Sequence, residues 1–216
     1  MRLFTAVYPS DDAVAHLELA LGGVGGRSLG DPGRGLRWVP AAQRHVTLVF
    51  HGEVPDGAVP GYVEALEVAL RDVPPFELAL AGSGAFGGRT LWIGVTGAVP
   101  ELQRAAATAR DVADGAGLPA ADRAGGRPHL TVARTTLRAA PDRRGAVAGA
   151  RGGSRGPRGR SAESPLVPWA RALAVYRGPA WRVDTVHVVG SRLGEGRSGG
   201  PLHEDVAVVP LGPGPG

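Results

Sequence analysis

The sequence predicts a mixed α and β protein folded as one globular unit. Strand-like and helix-like segments follow one another in mixed order, and one strand pattern occurs twice. The glycine-rich stretch near residues 22–30 lacks the strand–GxGxxG–helix context of a nucleotide-cofactor fold. At 216 residues the chain exceeds the usual domain size, yet it suits a single unit with room for two lobes.

The order of elements follows from hydrophobic periodicity and from glycine and proline punctuation. β-Branched and aromatic runs predict strands at 3–7, 36–39, 45–50, 76–81, 90–95, 127–134, 181–189 and 203–209. Helical spacing and capping residues predict helices from Ser10 through Leu21 and at 59–70, 100–113 and 164–176. His51-Gly52 and the glycines between residues 81 and 90 are predicted turns.

Composition limits the possible chemistry. The chain has no cysteine, which excludes disulfides, thiol nucleophiles, zinc ribbons and iron–sulfur clusters. Every one of its 24 basic residues is arginine, and the formal net charge is +4. This excess favours phosphate partners, although an arginine-, alanine- and glycine-rich composition is equally typical of a GC-rich genome.

The sequence also predicts a flexible insertion, a disordered tail and a cellular location. Residues from about 139 to 163 form an arginine- and glycine-rich flexible insertion, which is either a solvated loop or an electrostatic grip on RNA. Residues 211–216 are predicted to be a disordered tail. Without a leader peptide or a membrane span, a cytoplasmic location is the expectation. A monomer is the default expectation for the oligomeric state.

The repeated pattern is His-x-Thr within a predicted strand. His45 and Thr47 lie two residues apart and therefore point to the same face, and His129 and Thr131 repeat this arrangement. Two imidazoles can divide acid and base work on a phosphodiester, and unperturbed histidine titrates near neutral pH. Each threonine hydroxyl can donate a hydrogen bond to a phosphate oxygen, and Arg134 extends the anion site.

With their flanks, these motifs resemble the 2H phosphoesterase superfamily. The segments that carry the resemblance are Leu36-Arg37-Trp38-Val39, His45-Val46-Thr47-Leu48 and Arg127-Pro128-His129-Leu130-Thr131-Val132-Ala133-Arg134. Within that superfamily the chain is most similar to RNA 2′,3′-cyclic phosphodiesterases, also named 2′-5′ RNA ligases. The resemblance implies a bilobal α+β fold of the LigT type, with two pseudo-symmetric antiparallel-sheet lobes, helices outside and a central cleft.

The resemblance also implies roles for individual residues. His45 is the expected proton donor and His129 the proton acceptor, assisted by Thr47 and Thr131. The expected substrate-binding residues are Arg134, Arg127 and Phe50. No metal and no cofactor are expected, and the expected partner is RNA with a 2′,3′-cyclic phosphate end, tRNA fragments included, which is hydrolysed to a 2′-phosphate. Reversible 2′-5′ RNA ligation is the accompanying possibility.

Two alternatives to this function remain open from the sequence. One is a protein that binds RNA ends without turnover, and the other is a 2H phosphodiesterase for small cyclic nucleotides or ADP-ribose cyclic phosphate. His51 and His203 depart from the family pattern, which has an apolar residue and an aromatic residue near these positions. Base stacking at these two positions is therefore an open question.

Overall fold

The computed structural model describes residues 1–25, 35–119, 127–136, 164–196 and 200–213. Nine strands and four α-helices are found within these residues. The strands are β1 (Arg2–Val7), β2 (Leu36–Trp38), β3 (Val46–Glu53), β4 (Phe76–Phe86), β5 (Thr90–Gly97), β6 (His129–Thr135), β7 (Arg177–Val183), β8 (Thr185–Arg192) and β9 (Leu202–Pro210). The helices are α1 (Asp11–Gly25), α2 (Val59–Leu70), α3 (Val99–Gly115) and α4 (Val167–Ala172).

All described strands belong to one antiparallel sheet. Its order is β7-β4-β5-β6-β3-β1-β8-β9, and β2 pairs with β6 outside this path. The first four strands form one lobe and the last four form the other. The lobes meet at β6 and β3, where a single residue pair, Val46 opposite Leu130, joins them. The predicted bilobal α+β fold is confirmed, with the addition that both lobes share one continuous sheet.

The helices cover one face of this sheet. Helix α1 packs against β7 and α4 against β4, whereas α2 and α3 pack on the lobe of β3 and β9. Each helix turns an apolar side toward a shared core, as Leu17 of α1 and Tyr62, Leu66 and Leu70 of α2 show by their complete burial. We call the opposite face of the sheet the open face, and it carries the polar and aromatic residues of the candidate site.

The turn predicted at His51-Gly52 is part of a strand instead, and so is the first part of the turn predicted between residues 81 and 90. Strand β3 continues through His51-Gly52 to Glu53, because Gly52 pairs with Leu3 of β1 and adopts a φ of 72° that glycine tolerates. Strand β4 likewise continues to Phe86. The reversal between β4 and β5 occurs at Gly87 and Gly88, both with positive φ. Cross-strand hydrogen bonds therefore override the local turn preference of glycine.

The C-terminal third differs most from the prediction. The helix predicted from Ser164 to about Tyr176 is limited to Val167–Ala172. Ser164 Oγ donates to the Gly88 carbonyl, and the two residues between Ser164 and Val167 form a turn instead of the start of the helix. The single strand predicted at 181–189 is two strands separated at Asp184. They belong to opposite lobes of the sheet, since β7 pairs with β4 and β8 with β1.

The predicted disordered tail is wrong for its first residues. Leu211 is buried, and its backbone N–H donates to the Asp184 carbonyl. The N–H of Gly212 is within hydrogen-bond distance of the carbonyls of Leu70 and Val73. Residues 214–216 and the predicted insertion at about 139–163 lie outside the described residues. No helix in the described ranges is long and apolar enough to cross a bilayer.

Candidate active site

The two His-x-Thr motifs meet at the junction of the two lobes. Val46 lies directly opposite Leu130 across the β3–β6 pair, and both side chains are buried on the helix-covered face. Their neighbours therefore point to the open face. Since the strands run antiparallel, His45 lies on the side of Thr131, and Thr47 lies on the side of His129. The sequence prediction that these four residues come together is consistent with this register.

Both histidines are held by the same local hydrogen bond. His45 Nδ1 lies 2.8 Å from the Gln43 carbonyl oxygen, and His129 Nδ1 lies 2.9 Å from the Arg127 carbonyl oxygen. A carbonyl only accepts, so each Nδ1–H must be the donor. The tautomer is thereby fixed, and each Nε2 is the nitrogen available for proton exchange. A pair of equivalent imidazoles with free Nε2 atoms is suited to acid–base catalysis.

A bulge follows the first motif and returns a later side chain to the open face. Opposite β1, Ala6 pairs with Thr47 but Thr5 pairs with Val49, so one residue of β3 is skipped. Leu48 and Val49 are consequently both buried in the core. Alternation then places Phe50 on the face that Thr47 shares, where it packs with the apolar residues beside His45.

The same bulge follows the second motif. Opposite β5, Trp92 pairs with Thr131 but Leu91 pairs with Ala133, and Val132 and Ala133 are both buried. Arg134 therefore returns to the open face and is exposed. Phe50 and Arg134, both predicted to bind substrate, thus occupy equivalent positions five residues after the two histidines.

Aromatic rings surround His45. Phe4 stacks on its imidazole with ring centroids 4.6 Å apart and an interplanar angle of 24°, and Tyr8 lies tilted at 5.8 Å. His203 contacts it edge-on at 5.4 Å and also contacts Phe4 at 5.1 Å. Sequence reasoning did not identify Phe4 or Tyr8. Phe4, Ala6 and Tyr8 alternate along β1 and the residue that follows it, and this alternation was the available indication.

These surroundings change the acidity of His45. Burial is the largest cause, and it lowers the pKa of His45 to about 4. The hydrogen bond to the Gln43 carbonyl opposes this shift, whereas electrostatic repulsion by His203, Arg134 and His129 lowers the pKa of His45 further. His45 is therefore neutral near pH 7 when no anion occupies the cleft. The charge of Arg134 thus influences the protonation of His45.

A second aromatic group stands beside His129. Phe86 contacts its ring edge-on at 4.8 Å and stacks on Trp92 at 5.2 Å. The guanidinium of Arg127, a predicted substrate-binding residue, lies 5.7 Å from the Trp92 ring centroid. Trp92 lies over Gly84, where an added Cβ would come within 2.3 Å of its ring. The absence of a side chain at Gly84 therefore positions the aromatic group.

The two histidines that depart from the family pattern have different environments. His51 is buried in the core, where its Nε2 lies 3.0 Å from Thr5 Oγ1 and its Nδ1 lies 3.2 Å from the Pro119 carbonyl. It is therefore remote from the open face. His203 lies in the site against His45, and its Nδ1 is buried without a hydrogen-bond partner among the described residues. Burial lowers the pKa of both imidazoles.

One further polar group lies at the edge of the site on β8 and β9. His187 Nδ1 lies 3.0 Å from Asp205 Oδ2, and its ring contacts Tyr8 edge-on at 4.8 Å. Burial, with a smaller effect from Asp205, raises the pKa of Tyr8 to about 12. Tyr8 thus stays neutral. Within the described ranges, no group of three or more acidic or histidine side chains is placed to hold a metal ion.

Comparison with known proteins establishes the family. Residues 9–151, well over half of the chain, match the family model described as the 2′-5′ RNA ligase superfamily. The chain belongs to the 2′-5′ RNA ligase superfamily. The family membership predicted from the paired His-x-Thr motifs is thereby confirmed.

Individual relatives agree with this assignment. An RNA 2′,3′-cyclic phosphodiesterase of Geobacillus stearothermophilus is 39% identical over 110 residues, which make up 48% of this chain. The alignment spans only 34% of the length of that relative. Its activity therefore applies to this chain as a proposal, developed below.

Solved structures with the same fold cover nearly the whole chain. A crystal structure of a Thermus thermophilus protein aligns over 100% of both chains with a TM-score of 0.68 and 24% identity. The apo structure of E. coli LigT aligns over 98% of this chain and 97% of its own, with a TM-score of 0.65 and 19% identity. These similarities show the LigT-like fold.

Proposed function

We propose that this superfamily member hydrolyses 2′,3′-cyclic phosphate ends of RNA to 2′-phosphates, without a metal ion. The observation that carries the proposal is the matched pair of imidazoles, each held through Nδ1 by a carbonyl two residues earlier in the chain. Each histidine is thereby oriented with Nε2 free to exchange a proton. The name of the Geobacillus relative supports the same activity.

The proposed reaction divides the proton transfers between the two histidines. His129 Nε2 takes a proton from water as its oxygen attacks the cyclic phosphorus. The bond from phosphorus to the 3′ oxygen breaks, and His45 Nε2 donates a proton to that oxygen. The hydroxyls of Thr47 and Thr131 donate hydrogen bonds to the non-bridging oxygens, whose charge grows in the transition state. If the 5′ hydroxyl of a second RNA end replaces water, the same steps form a 2′-5′ linkage.

The lowered pKa of His45 fits a donor that is loaded by the substrate. Without a ligand, burial keeps this imidazole neutral at pH 7. A cyclic phosphodiester carries one negative charge, and an anion beside an imidazole raises its pKa. Substrate binding would therefore bring a proton to His45. The donor would be charged only when there is a leaving oxygen to receive its proton.

The experiment measures cleavage of an RNA oligomer that ends in a 2′,3′-cyclic phosphate, in the presence of EDTA. We expect the native protein to yield a 2′-phosphate end, and His45→Ala and His129→Ala each to lose at least ~100-fold in kcat, as is usual when a general acid or base is removed. His16→Ala is the matched control, because His16 is an exposed histidine on α1 that contacts Tyr176 instead.

Each alternative predicts a different result. Binding of the RNA without turnover would establish an RNA-end binding protein and overturn the proposal. Faster turnover of mononucleotide cyclic phosphates or of ADP-ribose cyclic phosphate than of RNA would assign a small-molecule substrate. Loss of turnover on adding EDTA, with recovery on adding a divalent cation, would contradict the metal-independent mechanism.

A further inference from the structure

One row of residues on the open face lies just beyond Thr131. Phe86 pairs with Thr90 across β4 and β5, and Thr90 pairs with Arg134 across β5 and β6. Arg134 in turn pairs with Arg37 of β2. Directly opposed residues of antiparallel strands point to the same face, so these four share the face of the catalytic motifs. We call Phe86, Thr90, Arg134 and Arg37 the outer row.

The two arginines of the outer row form an unusual cross-strand pair. Arg37 and Arg134 lie directly opposite each other, and both are exposed. Like charges in this arrangement repel each other. In the part of the chain that the structure describes, neither guanidinium has a carboxylate within salt-bridge distance. The pair therefore presents two positive charges and ten N–H donors without an internal anion.

Other arginines of the sheet are paired differently. Arg182 of β7 lies opposite Glu77 of β4, and Arg2 of β1 lies opposite Glu53 of β3. In both cases the cross-strand neighbour has the opposite charge, which stabilises the sheet. The like-charged pair on the open face is thus an exception within this sheet. An anion between the two guanidinium groups would relieve the repulsion.

The arginine pair is placed to act on the same ligand as the histidines. Arg134 follows Thr131 by three residues, about 10 Å along a strand at ~3.3 Å per residue, and a long arginine side chain spans much of that distance. The charge of Arg134 also acts on His45. A ligand that carries a second anionic group beside the reacting phosphate could therefore contact the histidines and the arginine pair together.

The other end of the outer row offers an aromatic ring. Phe86 is 44% exposed although it stacks on Trp92, so part of its ring remains free. Exposed aromatic rings beside positive charge are the usual means by which proteins bind single-stranded nucleic acid. The outer row therefore combines a stacking surface with a phosphate site.

We propose that Arg37 and Arg134 bind the internal backbone phosphate next to the reacting cyclic phosphate, so that the site prefers an RNA chain to a mononucleotide. The guanidinium groups donate hydrogen bonds to the non-bridging oxygens of that phosphodiester, and Phe86 supports an adjacent base by stacking. This inference rests on the proposed function, because it takes the phosphate at His45 and His129 as the reacting one.

The test compares the binding of two product-like ligands by calorimetry. One is adenosine 2′-phosphate, and the other is an adenosine dinucleotide with the same 2′-phosphate end and one additional internal phosphodiester. The variant is Arg37→Gln, which keeps a polar side chain of similar shape at an exposed position. The control is Arg182→Gln, an exposed strand arginine whose cross-strand neighbour is Glu77.

We expect the native protein to bind the dinucleotide at least tenfold more tightly than the mononucleotide. In Arg37→Gln this preference falls to threefold or less, and in Arg182→Gln it stays at the native value. Binding of the dinucleotide should also weaken more steeply with salt, by about 0.7 in the logarithmic slope for the extra phosphate that is neutralised. Arg37→Gln should remove that additional slope.

Three results would overturn the inference. The first is a native affinity for the dinucleotide about equal to that for the mononucleotide. The second is a ratio of these two affinities that is unchanged in Arg37→Gln, and the third is an equal loss of affinity for both ligands in that variant. A melting temperature of Arg37→Gln at or above the native value excludes misfolding as the cause, because the substitution removes a repulsion. This test measures affinity and not turnover. Failure to hydrolyse cyclic phosphates would therefore refute the proposed function, whereas the inference about Arg37 and Arg134 is decided by the affinities alone.

Discussion

Acidification should destabilise this protein through His45 in particular. Folding lowers the pKa of its imidazole from 6.5 to about 4, mainly by burial. A group whose pKa is lower in the folded state resists protonation there, and the unfolded chain takes up the proton first. The contribution of His45 to stability is therefore complete above pH 6.5 and is lost as the pH falls toward 4.

The magnitude follows from these two pKa values. At pH 5 the unfolded state would hold His45 almost fully protonated, whereas the folded state would hold it almost fully neutral. Linkage between protonation and folding then gives a loss of about 2 kcal/mol relative to pH 7.5. This is a substantial part of the total stability of an ordinary domain, which is about 5–15 kcal/mol.

The assay is urea unfolding at pH 7.5 and pH 5 for the native protein and for His45→Asn. Asparagine does not titrate, and its amide can still donate to the Gln43 carbonyl. We expect the native protein to lose about 2 kcal/mol more than the variant on acidification. The other histidines are present in both proteins, so most of their effect cancels in the comparison. Equal losses in the two proteins would refute the argument from burial.

The same pKa shift has a consequence for anion binding. Sulfate keeps its charge over this pH range, so a change in its affinity reports on the protein. If bound sulfate restores the ordinary pKa of His45, its affinity should rise up to about 30-fold between pH 7.5 and pH 5. His45→Asn should lose most of this rise, and calorimetry in buffers of different ionisation enthalpy should show greater proton uptake by the native protein than by the variant.

Two further predictions concern side-chain placement. Gly84→Ala should lower kcat by at least tenfold and shift tryptophan fluorescence, because the added Cβ would lie 2.3 Å from the Trp92 ring; Gly61→Ala, with nothing within 4 Å, is the control. An unchanged kcat in Gly84→Ala would show that the aromatic group does not support His129. Tyr62→Phe should cost roughly 0.5–1.5 kcal/mol in urea unfolding, because Thr5 loses one buried hydrogen-bond partner at 2.8 Å while it keeps His51 at 3.0 Å. A loss below about 0.3 kcal/mol would mean that this bond contributes little.

The sequence determined the paired His-x-Thr motifs and most of the elements. Local chemistry defines these features, since a His-x-Thr pair on a strand faces one way whatever surrounds it. Helix α2 occupies the predicted residues 59–70, and α3 extends the predicted 100–113 by one residue at its start and two at its end. Family membership also followed from these motifs and their flanks. Each conclusion depended on residues close together in the chain.

Only the tertiary structure decided the rest. The Gly52 and Gly82 positions lie inside strands because a partner strand supplies hydrogen bonds that no local pattern reveals. The lowered pKa of His45 arises first from burial and then from charges distant in sequence, such as that of Arg134. The Arg37–Arg134 pair likewise exists only through the register of β2 on β6. Register and burial are properties of strand pairing and packing, which join residues far apart in the chain.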